Sequence, residues 1–394
     1  MKNIGIVMSP FMPFPCVKGG AVETLMQFIL DENEKQKCFN FVFFVKENSE
    51  AKRMTEKYCN SEFVFIKNHT FVSKCKFQLS RVFFRFLKLR PYLLDDFHRN
   101  VYRFLIKRSV DLVIVEGGSA VYEYRKISKL LGKQKMVLHL HATFNAPKEA
   151  DNIFGNYIAI SEYVKNIWLY NSRNHCFVLK NAIDDKFFET VIDDKQKDSL
   201  RTRFCISDED FLIVYCGRLI PVKGVKELCL AVRQKGNVKL LIIGSTNFGM
   251  NITSDYEKEI QNIAIETKNI FFTGYIQNQE LPAYYQIANL VAVPSLWEEG
   301  CGMVCIEAMA SGIPVLATES GGMPEYLLQE GTFFCKRNKD TIVNELSEKI
   351  NFAVKNKALL REMGNRNKIA AQFYSKRNYY HNFCKIVQEI MNDL

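Results

Sequence analysis

The sequence lacks the long apolar runs and the paired cysteines that mark several common classes of protein. No stretch reaches the roughly 18 apolar residues that a membrane-spanning helix needs. Twelve cysteines are present, but none stands in a C-x-x-C pair, which argues against zinc and redox motifs and for a reducing compartment. The segment from Met1 to Pro10 has no apolar core behind a basic start, as a signal peptide would have. These features predict a cytoplasmic protein.

Low-complexity segments and internal repeats are also missing. With 47% hydrophobic and 24% charged residues, the composition is that of a folded protein, and 394 residues suffice for two domains. Short β-type runs alternate with helical patterns from end to end, which predicts parallel sheets with crossover helices in both halves. Six strands are expected in the first half: Asn3–Met8, Phe39–Val45, Phe63–Ile66, Asp111–Val115, Met136–Leu140 and Tyr157–Ile160.

A polar, charged segment from Asp184 to Arg203 separates two such patterns. The second pattern is expected to contain these strands: Phe211–Tyr215, Val238–Ile243, Ile270–Phe272, Leu290–Val293 and Val315–Ala317. The sequence therefore predicts an α/β protein with two doubly wound, Rossmann-like domains. We expect a first domain at 1–184, a linker at 185–207, a second domain at 208–373, and a helix at 374–394 that crosses back to the first domain.

The strongest local signal is a glycine-rich turn at 298–302, between the expected strand Leu290–Val293 and a helical run. Such a turn leaves backbone N–H groups free at the positive end of a helix, which favours a bound phosphate. Glu299 on the turn and Glu307 about two helical turns deeper are expected to face the same ligand. The predicted phosphate cradle consists of the amides of Gly302, Met303 and Val304.

A second cluster, Gly217-Arg218 with Lys223-Gly224, follows the expected strand Phe211–Tyr215. Ligands of open α/β sheets bind beyond the carboxyl ends of the strands, which favours a functional role for these cations over an ordinary surface role. An arginine offers a fixed fork of donors and a lysine a point charge. Together they are suited to neutralise a diphosphate that leaves with developing negative charge.

These residues resemble the signature of glycosyltransferase family 4, including Pro294-Ser295 before the two glutamates and the run 307–315. The resemblance covers most of the chain and implies the GT-B fold, in which the two domains face a central cleft. It also implies transfer of a sugar from a nucleotide diphosphate sugar with retention of configuration. Within it, Glu299 contacts the transferred sugar, Glu307 binds the ribose, and Gly217, Arg218 and Lys223 hold the diphosphate. Cys301 departs from the aromatic residue that the family often has there.

Weaker likenesses to the same family extend the predicted site. The segment 272–276 resembles the part that lies beside the nucleotide base, which assigns Tyr275 to it. The loop 18–23 resembles the one that closes over the donor phosphate and the acceptor, which assigns Gly19 and Gly20. His141 resembles the histidine that lines the transferred sugar, whereas His139 is expected to be a buried structural residue. We expect Glu116, at the end of the strand before, on the acceptor side.

No metal and no cofactor is predicted. Asp208-Glu209-Asp210 has the D-x-D form of another glycosyltransferase fold, but it precedes a strand instead of ending one, so a loop or helix-cap role is favoured. Cationic side chains and helix dipoles can supply the electrostatic work of a divalent ion.

Three rival interpretations use the same fold: a nucleotide-sugar epimerase, an α-glucan phosphorylase and a non-catalytic nucleotide-sugar-binding subunit. A phosphorylase would need a lysine for pyridoxal phosphate, and no such motif stands out. An epimerase would release its product with no acceptor added. The presence of both glutamates and both cations of the signature argues against a subunit that has lost catalysis.

Most of the net charge of +10 lies in residues 71–108. This stretch contains ten basic residues and only two acidic ones, Asp95 and Asp96, so its net charge is 10 − 2 = +8. Aromatic residues such as Phe83, Phe84 and Phe86 interleave with them. A basic amphipathic pattern predicts docking on an anionic membrane surface, where a lipid-linked glycan of bacterial surface polysaccharide or lipopolysaccharide would be the acceptor. A solvated helix with a core-facing Phe stripe is an alternative. Nucleic acid is disfavoured because no recognised module is present.

Overall fold

A computed structural model of the chain describes residues 1–17, 20–67, 96–117, 121–233, 235–245 and 254–394. These residues form two compact units: Met1–Ala182 with Lys376–Leu394, and Ile183–Ser375. Each unit contains one parallel sheet and its own hydrophobic core. The chain is therefore an α/β protein with two Rossmann-like domains, which we call the first unit and the second unit.

The sheet of the first unit has seven parallel strands in the order β3-β2-β1-β4-β5-β6-β7. They are β1 (Lys2–Val7), β2 (Phe39–Lys46), β3 (Ser61–Ile66), β4 (Leu112–Glu116), β5 (Met136–Leu140), β6 (Asn156–Ala159) and β7 (His175–Val178). Every residue of β4 and β5 is buried, because helices cover both faces of a parallel sheet. Six of these strands were predicted, and β7 was not.

The helices of the first unit are α1 (Ala21–Gln36), α2 (Ser49–Met54), α3 (Asp96–Lys107), α4 (Arg125–Leu131), α5 (Ala150–Ile153), α6 (Glu162–Leu169) and, at the C-terminus, α15 (Lys376–Asn392). Helix α15 packs against α1 with an apolar stripe that includes Phe383 and Val387, both fully buried. Its Tyr380 hydroxyl donates to Asn33 Oδ1 at 2.7 Å. A helix from the end of the chain thus completes the core of the first unit.

The sheet of the second unit has six parallel strands in the order β10-β9-β8-β11-β12-β13. They are β8 (Phe211–Cys216), β9 (Val238–Ile243), β10 (Ile270–Gly274), β11 (Leu290–Val293), β12 (Val315–Thr318) and β13 (Thr332–Cys335). Five of them were predicted, and β13 was not. The helices are α7 (Lys186–Glu189), α8 (Asp194–Arg203), α9 (Val225–Val232), α10 (Asp255–Thr267), α11 (Leu281–Gln286), α12 (Met303–Ala310), α13 (Ile342–Lys355) and α14 (Lys357–Ala371).

In both sheets the strand order reverses at the first strand, because later strands are added first on one side of it and then on the other. In the first unit β1 lies between β2 and β4, and in the second unit β8 lies between β9 and β11. Ligands of this architecture bind at the carboxyl ends of the strands that flank such a switch point. The loops after β1, β4, β8 and β11 are therefore the places to look for a site. In the described parts of the chain, no helix has both the length and the apolar character needed to span a membrane.

Candidate active site

In the second unit, the loops after β8 and β11 bring two predicted site residues together. Lys223 Nζ forms an ion pair with Glu299 Oε1, and Ser295 Oγ donates to the same carboxylate oxygen at 2.7 Å. The side chains of Lys223 and Glu299 are only 25% and 15% exposed. The Glu299 carboxylate is thus fixed by two donors at the switch point of this sheet.

Backbone contacts hold these two loops side by side. The Leu296 N–H donates to the Val222 carbonyl at 2.8 Å. Gly224 lies in the left-handed region with φ 69°, and a Cβ there would overlap the carbonyl of Pro294. Because only glycine tolerates both conditions, Gly224 permits the close approach that puts Lys223 beside Glu299.

Helix α12 begins directly after the Glu299 turn and points its N-terminus into the same region. Its N-cap is Gly302, with φ 78°, which has no side chain to cap the first turn. A Cβ on Gly302 would overlap the Met323 side chain, so a larger residue here would have to displace Met323. The amides of Gly302, Met303 and Val304 are those that the sequence predicted as a phosphate cradle, and the N-terminus of a helix favours an anion.

Arg218 and Gly217 follow β8 at the same switch point. The Arg218 side chain is exposed, and its guanidinium takes part in no ion pair among the residues that the structure describes. The Tyr215 hydroxyl donates to the Arg218 carbonyl at 2.9 Å, and the Gly217 N–H donates to the Ile243 carbonyl at 3.0 Å. These bonds fix the turn while leaving the guanidinium open to an incoming anion.

Glu307 lies deeper in α12 and has a different partner from Glu299. Its Oε2 accepts a hydrogen bond at 2.7 Å from the hydroxyl of Tyr285, which is fully buried. Burial raises the pKa of Glu307, and the bond from Tyr285 and the nearby charge of Lys186 oppose this rise. Burial also raises the pKa of Tyr285 well above its usual value, so its hydroxyl stays protonated and donates.

Tyr275 is set apart from this cluster. It follows β10, the edge strand, which β9 separates from β8, and it is 52% exposed.

Asp210, from the D-x-D-like segment, accepts hydrogen bonds at 2.8 Å from the backbone N–H and the hydroxyl of Ser207. It therefore stabilises a turn before β8.

In the first unit, Glu116 and His141 meet at the ends of the neighbouring strands β4 and β5. Glu116 Oε2 lies 2.6 Å from His141 Nε2 and 3.0 Å from His139 Nδ1. The side chains of Glu116 and His139 have no exposed surface, and that of His141 is 10% exposed. The Glu116 carboxylate is therefore directed at the two imidazoles.

Burial and charge act in opposite directions on this cluster. Burial alone would raise the pKa of Glu116, but His139 and then His141 outweigh it and lower the pKa to about 2. Burial, and next the proximity of His139, lower the pKa of His141 despite the opposing effect of Glu116. At neutral pH the carboxylate is therefore ionised and the His141 ring is neutral.

The predicted glycine loop of the first unit is described only in part, because Gly19 lies outside the described residues. Gly20 is the N-cap of α1, and a Cβ there would overlap the carboxylate of Glu23 in the first helical turn. Glu23 is 6% exposed. Burial raises its pKa, its own backbone N–H opposes the rise, and Glu116 adds to it. A carboxylate thus already occupies this helix N-terminus.

Three residues of these clusters were not predicted as site residues: Ser295, Tyr285 and Glu23. Ser295 and Glu23 stand inside motifs that the sequence analysis used, so proximity to a motif was a signal. Tyr285 lies 22 residues from Glu307 and carries no local signal.

Of the basic aromatic stretch, residues 71–95 lie outside the described residues, and 96–107 form α3, which buries Phe97 and Val101.

Comparison with known proteins finds similarity to glycosyltransferases. The family profile "Glycosyl transferases group 1" matches residues 196–370. A lipopolysaccharide 1,2-N-acetylglucosaminetransferase of Salmonella typhimurium is 28% identical over 276 residues, which cover 68% of this chain and 71% of that protein. Spore coat protein SA of Bacillus subtilis is 22% identical over 343 residues and 84% of each chain.

Solved structures of similar fold cover the whole chain. The structure of Anabaena HepE in complex with UDP and glucose has a TM-score of 0.72 and 18% identity, and covers 99% of this chain and 100% of that one. A glycosyltransferase from Rickettsia africae has a TM-score of 0.78 and 15% identity, with full coverage of both chains.

Proposed function

We propose that the donor of this chain, a glycosyltransferase of the GT-B fold, is a nucleotide diphosphate sugar held by the second unit. One observation carries this proposal: Lys223, Arg218 and the N-terminus of α12 all lie in the loops at the carboxyl ends of β8 and β11. Two cationic side chains and a helix N-terminus at a switch point suit a diphosphate. UDP is the first nucleotide to test, because the Anabaena structure of similar fold holds UDP.

In the proposed reaction, Arg218, Lys223 and the amides of Gly302 to Val304 neutralise the diphosphate as its bond to the sugar breaks. Preorganised donors of this kind act most strongly where charge develops in the transition state. Glu299, held by Lys223 and Ser295, contacts the transferred sugar. Glu307, oriented by Tyr285, binds the ribose hydroxyls.

The acceptor hydroxyl attacks from the same face as the departing diphosphate, so the anomeric configuration is retained. No protein nucleophile and no metal takes part in this scheme. The hydroxyl proton leaves with the diphosphate, whose developing charge makes it the nearest base.

The proposed acceptor is a glycan or a lipid-linked glycan, as in the synthesis of a bacterial surface polysaccharide or lipopolysaccharide. Similarity to the Salmonella enzyme supports this class, and so does the basic aromatic composition of residues 71–108. We propose that this stretch contacts the inner face of the cytoplasmic membrane, because anionic lipid contributes about 1 kcal/mol for each nearby basic residue.

The membrane contact is tested by sedimentation with vesicles that contain phosphatidylserine. Replacement of Arg81, Arg85, Lys88 and Arg90 by Glu should abolish cosedimentation. The matched control reverses Lys357, Arg361, Arg366 and Lys368 on α14 of the second unit and should bind as the wild type does. Equal vesicle binding by the two variants would remove this part of the proposal.

The donor is tested with purified protein and a panel of nucleotide diphosphate sugars. A bound donor at about one hundred times its dissociation constant should stabilise the protein by about 2.7 kcal/mol. With that donor and extracted lipid-linked glycans, NMR of the product should show the anomeric configuration of the donor. An inverted product, or a free epimerised sugar nucleotide without transfer, would contradict the proposal.

A further inference from the structure

The first unit contains a buried carboxylate whose role the donor chemistry does not explain. Glu116 ends β4, and its side chain has no exposed surface. His141, just beyond β5, retains 10% exposure, so a ligand can reach the histidine but not the carboxylate. Any effect of Glu116 on a bound sugar must therefore pass through His141.

We propose that Glu116 is a positioning residue that holds His141 in the tautomer protonated on Nε2, so that Nδ1 faces substrate as a hydrogen-bond acceptor. This inference rests on the proposed function, with His141 lining the transferred sugar as the resemblance to glycosyltransferase family 4 implies. Glu116 Oε2 lies 2.6 Å from His141 Nε2, and an ionised carboxylate can only accept. The proton between them therefore belongs to the histidine. A sugar hydroxyl would then donate to Nδ1.

The groups around His141 support a neutral ring with a single proton. Glu116 lies beneath it, and His139 is beside it with the two ring centroids 4.0 Å apart. Glu23 from α1 and Tyr379 from α15 interact electrostatically with Glu116. Burial raises the pKa of Tyr379 well above its usual value, so this hydroxyl carries no charge. The one ionised carboxylate that bonds His141 selects which nitrogen keeps the proton.

The same three side chains are also a possible metal-ligand group, because their ligand atoms lie within 4.8 Å of one another. Two ligands on a tetrahedral zinc ion, each at roughly 2.0–2.2 Å, are separated by about 3.3–3.6 Å. The distance of 2.6 Å between Glu116 Oε2 and His141 Nε2 is shorter than this. It fits a charge-assisted hydrogen bond better than two ligands of one ion. The geometry therefore favours a shared proton over a metal.

Nitrogen-15 NMR of the imidazoles tests the tautomer directly, since the chain has six histidines that single variants can assign. At pH 7 the wild type should show His141 protonated on Nε2 only. Glu116→Gln, which keeps the shape of the side chain, should give a mixture of tautomers because an amide can accept or donate. The matched control is Asp151→Asn: Asp151 accepts from Tyr157 and Ser172 in the same unit, and its loss should leave the His141 signals unchanged.

The pH profile of kcat/KM supplies a second readout that a purely structural role would not move. Neutral His141 is the active form, and burial lowers its pKa, so activity should be constant around neutral pH and fall only at a pH below the usual pKa of a histidine. Because Glu116 raises the pKa of His141, Glu116→Gln should move the acid limb to lower pH and reduce the plateau about 10- to 100-fold. Asp151→Asn should leave the acid limb in place.

Three results would overturn the inference: a wild-type His141 protonated on Nδ1, an unmoved acid limb in Glu116→Gln, or one equivalent of zinc in the purified protein. Failure of the proposed function gives a different pattern. In that case the Nε2 tautomer and its dependence on Glu116 would be observed, but the wild type would transfer no sugar from any donor. The NMR experiment needs no turnover, so the two failures are distinguishable.

Discussion

Lys223 and Lys226 lie three residues apart, and each forms an ion pair with a glutamate. Lys223 reaches Glu299 at the switch point, whereas Lys226 pairs with Glu259 on the surface. Replacing Lys223 by Met removes a preorganised cation from the proposed diphosphate site. We expect kcat to fall by about 10²- to 10³-fold, as when one donor to a developing charge is lost.

The control for this prediction is Lys226→Met, which removes an exposed ion pair worth about 1 kcal/mol or less. It should leave the transfer rate within about twofold of the wild type. Steady-state kinetics with the identified donor measures both variants. Equal activity of Lys223→Met and wild type would show that this cation does not act on the diphosphate.

The bond from Tyr285 to Glu307 gives a second prediction at the scale of single residues. Tyr285→Phe removes the donor that orients the carboxylate and that keeps its pKa from rising further. A misplaced and more often protonated Glu307 should bind the nucleotide about tenfold more weakly, which corresponds to roughly 1.4 kcal/mol. Isothermal titration calorimetry with the nucleotide diphosphate measures the change.

Tyr374→Phe is the matched control, because Tyr374 also loses a buried hydrogen bond, that to the Tyr326 carbonyl at 3.0 Å. It should lower the stability by about as much and leave the nucleotide affinity unchanged. If both variants bind the nucleotide equally well, Glu307 is not at the ribose.

Residues that form motifs could be predicted from the sequence, and their partners could not. Lys223 and Glu299 were both predicted, although their contact spans 76 positions, because each stands in a glycine-rich turn. Tyr285 stands in no motif, and only the packing of α11 brings its hydroxyl to Glu307. The cluster around Glu116 was predicted as separate residues. That its carboxylate is fully buried follows from the sheet and not from the local sequence.

At the scale of elements, long apolar strands were predictable because a parallel strand buried on both faces is a continuous hydrophobic run. Strands β7 and β13 are as short as β11 and β12, which were predicted. Each of the two missed strands begins with a polar residue, His175 or Thr332, whereas β11 and β12 begin with an apolar residue. Helix α8, with the sequence DKQKDSLRTR, has no buried residue. It lies in the segment predicted as a linker because no apolar stripe distinguishes it. Its capping box, Asp193 with Gln196, was the available signal.

Gly302 decides how α12 begins, which gives a prediction for a whole element. Gly302→Ala would place a Cβ in the left-handed region against Met323, and such strain costs about 1–3 kcal/mol. If α12 shifts to relieve the overlap, its amides no longer align with a phosphate. We expect a lower unfolding temperature together with a loss of donor binding, measured by thermal unfolding with and without the nucleotide.

Gly236→Ala is the control for this change, because a Cβ at Gly236 meets no atom within 4 Å and its φ is not in the left-handed region. It should leave donor binding unchanged. If Gly302→Ala lowers the stability but still binds the donor, the prediction is wrong and the N-terminus of α12 does not hold the phosphate.

At the scale of the molecule, the two units have separate cores, and the proposed donor groups lie in one of them. Phe383 contributes to the core of the first unit and Leu346 to that of the second, and both are fully buried. Replacing either by Ala should cost about 2–5 kcal/mol in its own unit. The two variants therefore mark which unfolding transition belongs to which unit, as a two-domain chain allows.

A nucleotide that binds the native second unit should stabilise that unit alone. In differential scanning calorimetry, nucleotide diphosphate at about one hundred times its dissociation constant adds about 2.7 kcal/mol. The nucleotide should raise the temperature of the unfolding transition that is sensitive to Leu346→Ala. It should not change the temperature of the transition that is sensitive to Phe383→Ala. A shift of the Phe383-sensitive transition would instead mean that the nucleotide binds the first unit. Since Glu23 and Glu116 there would repel a diphosphate, we expect the second unit to be the one that responds.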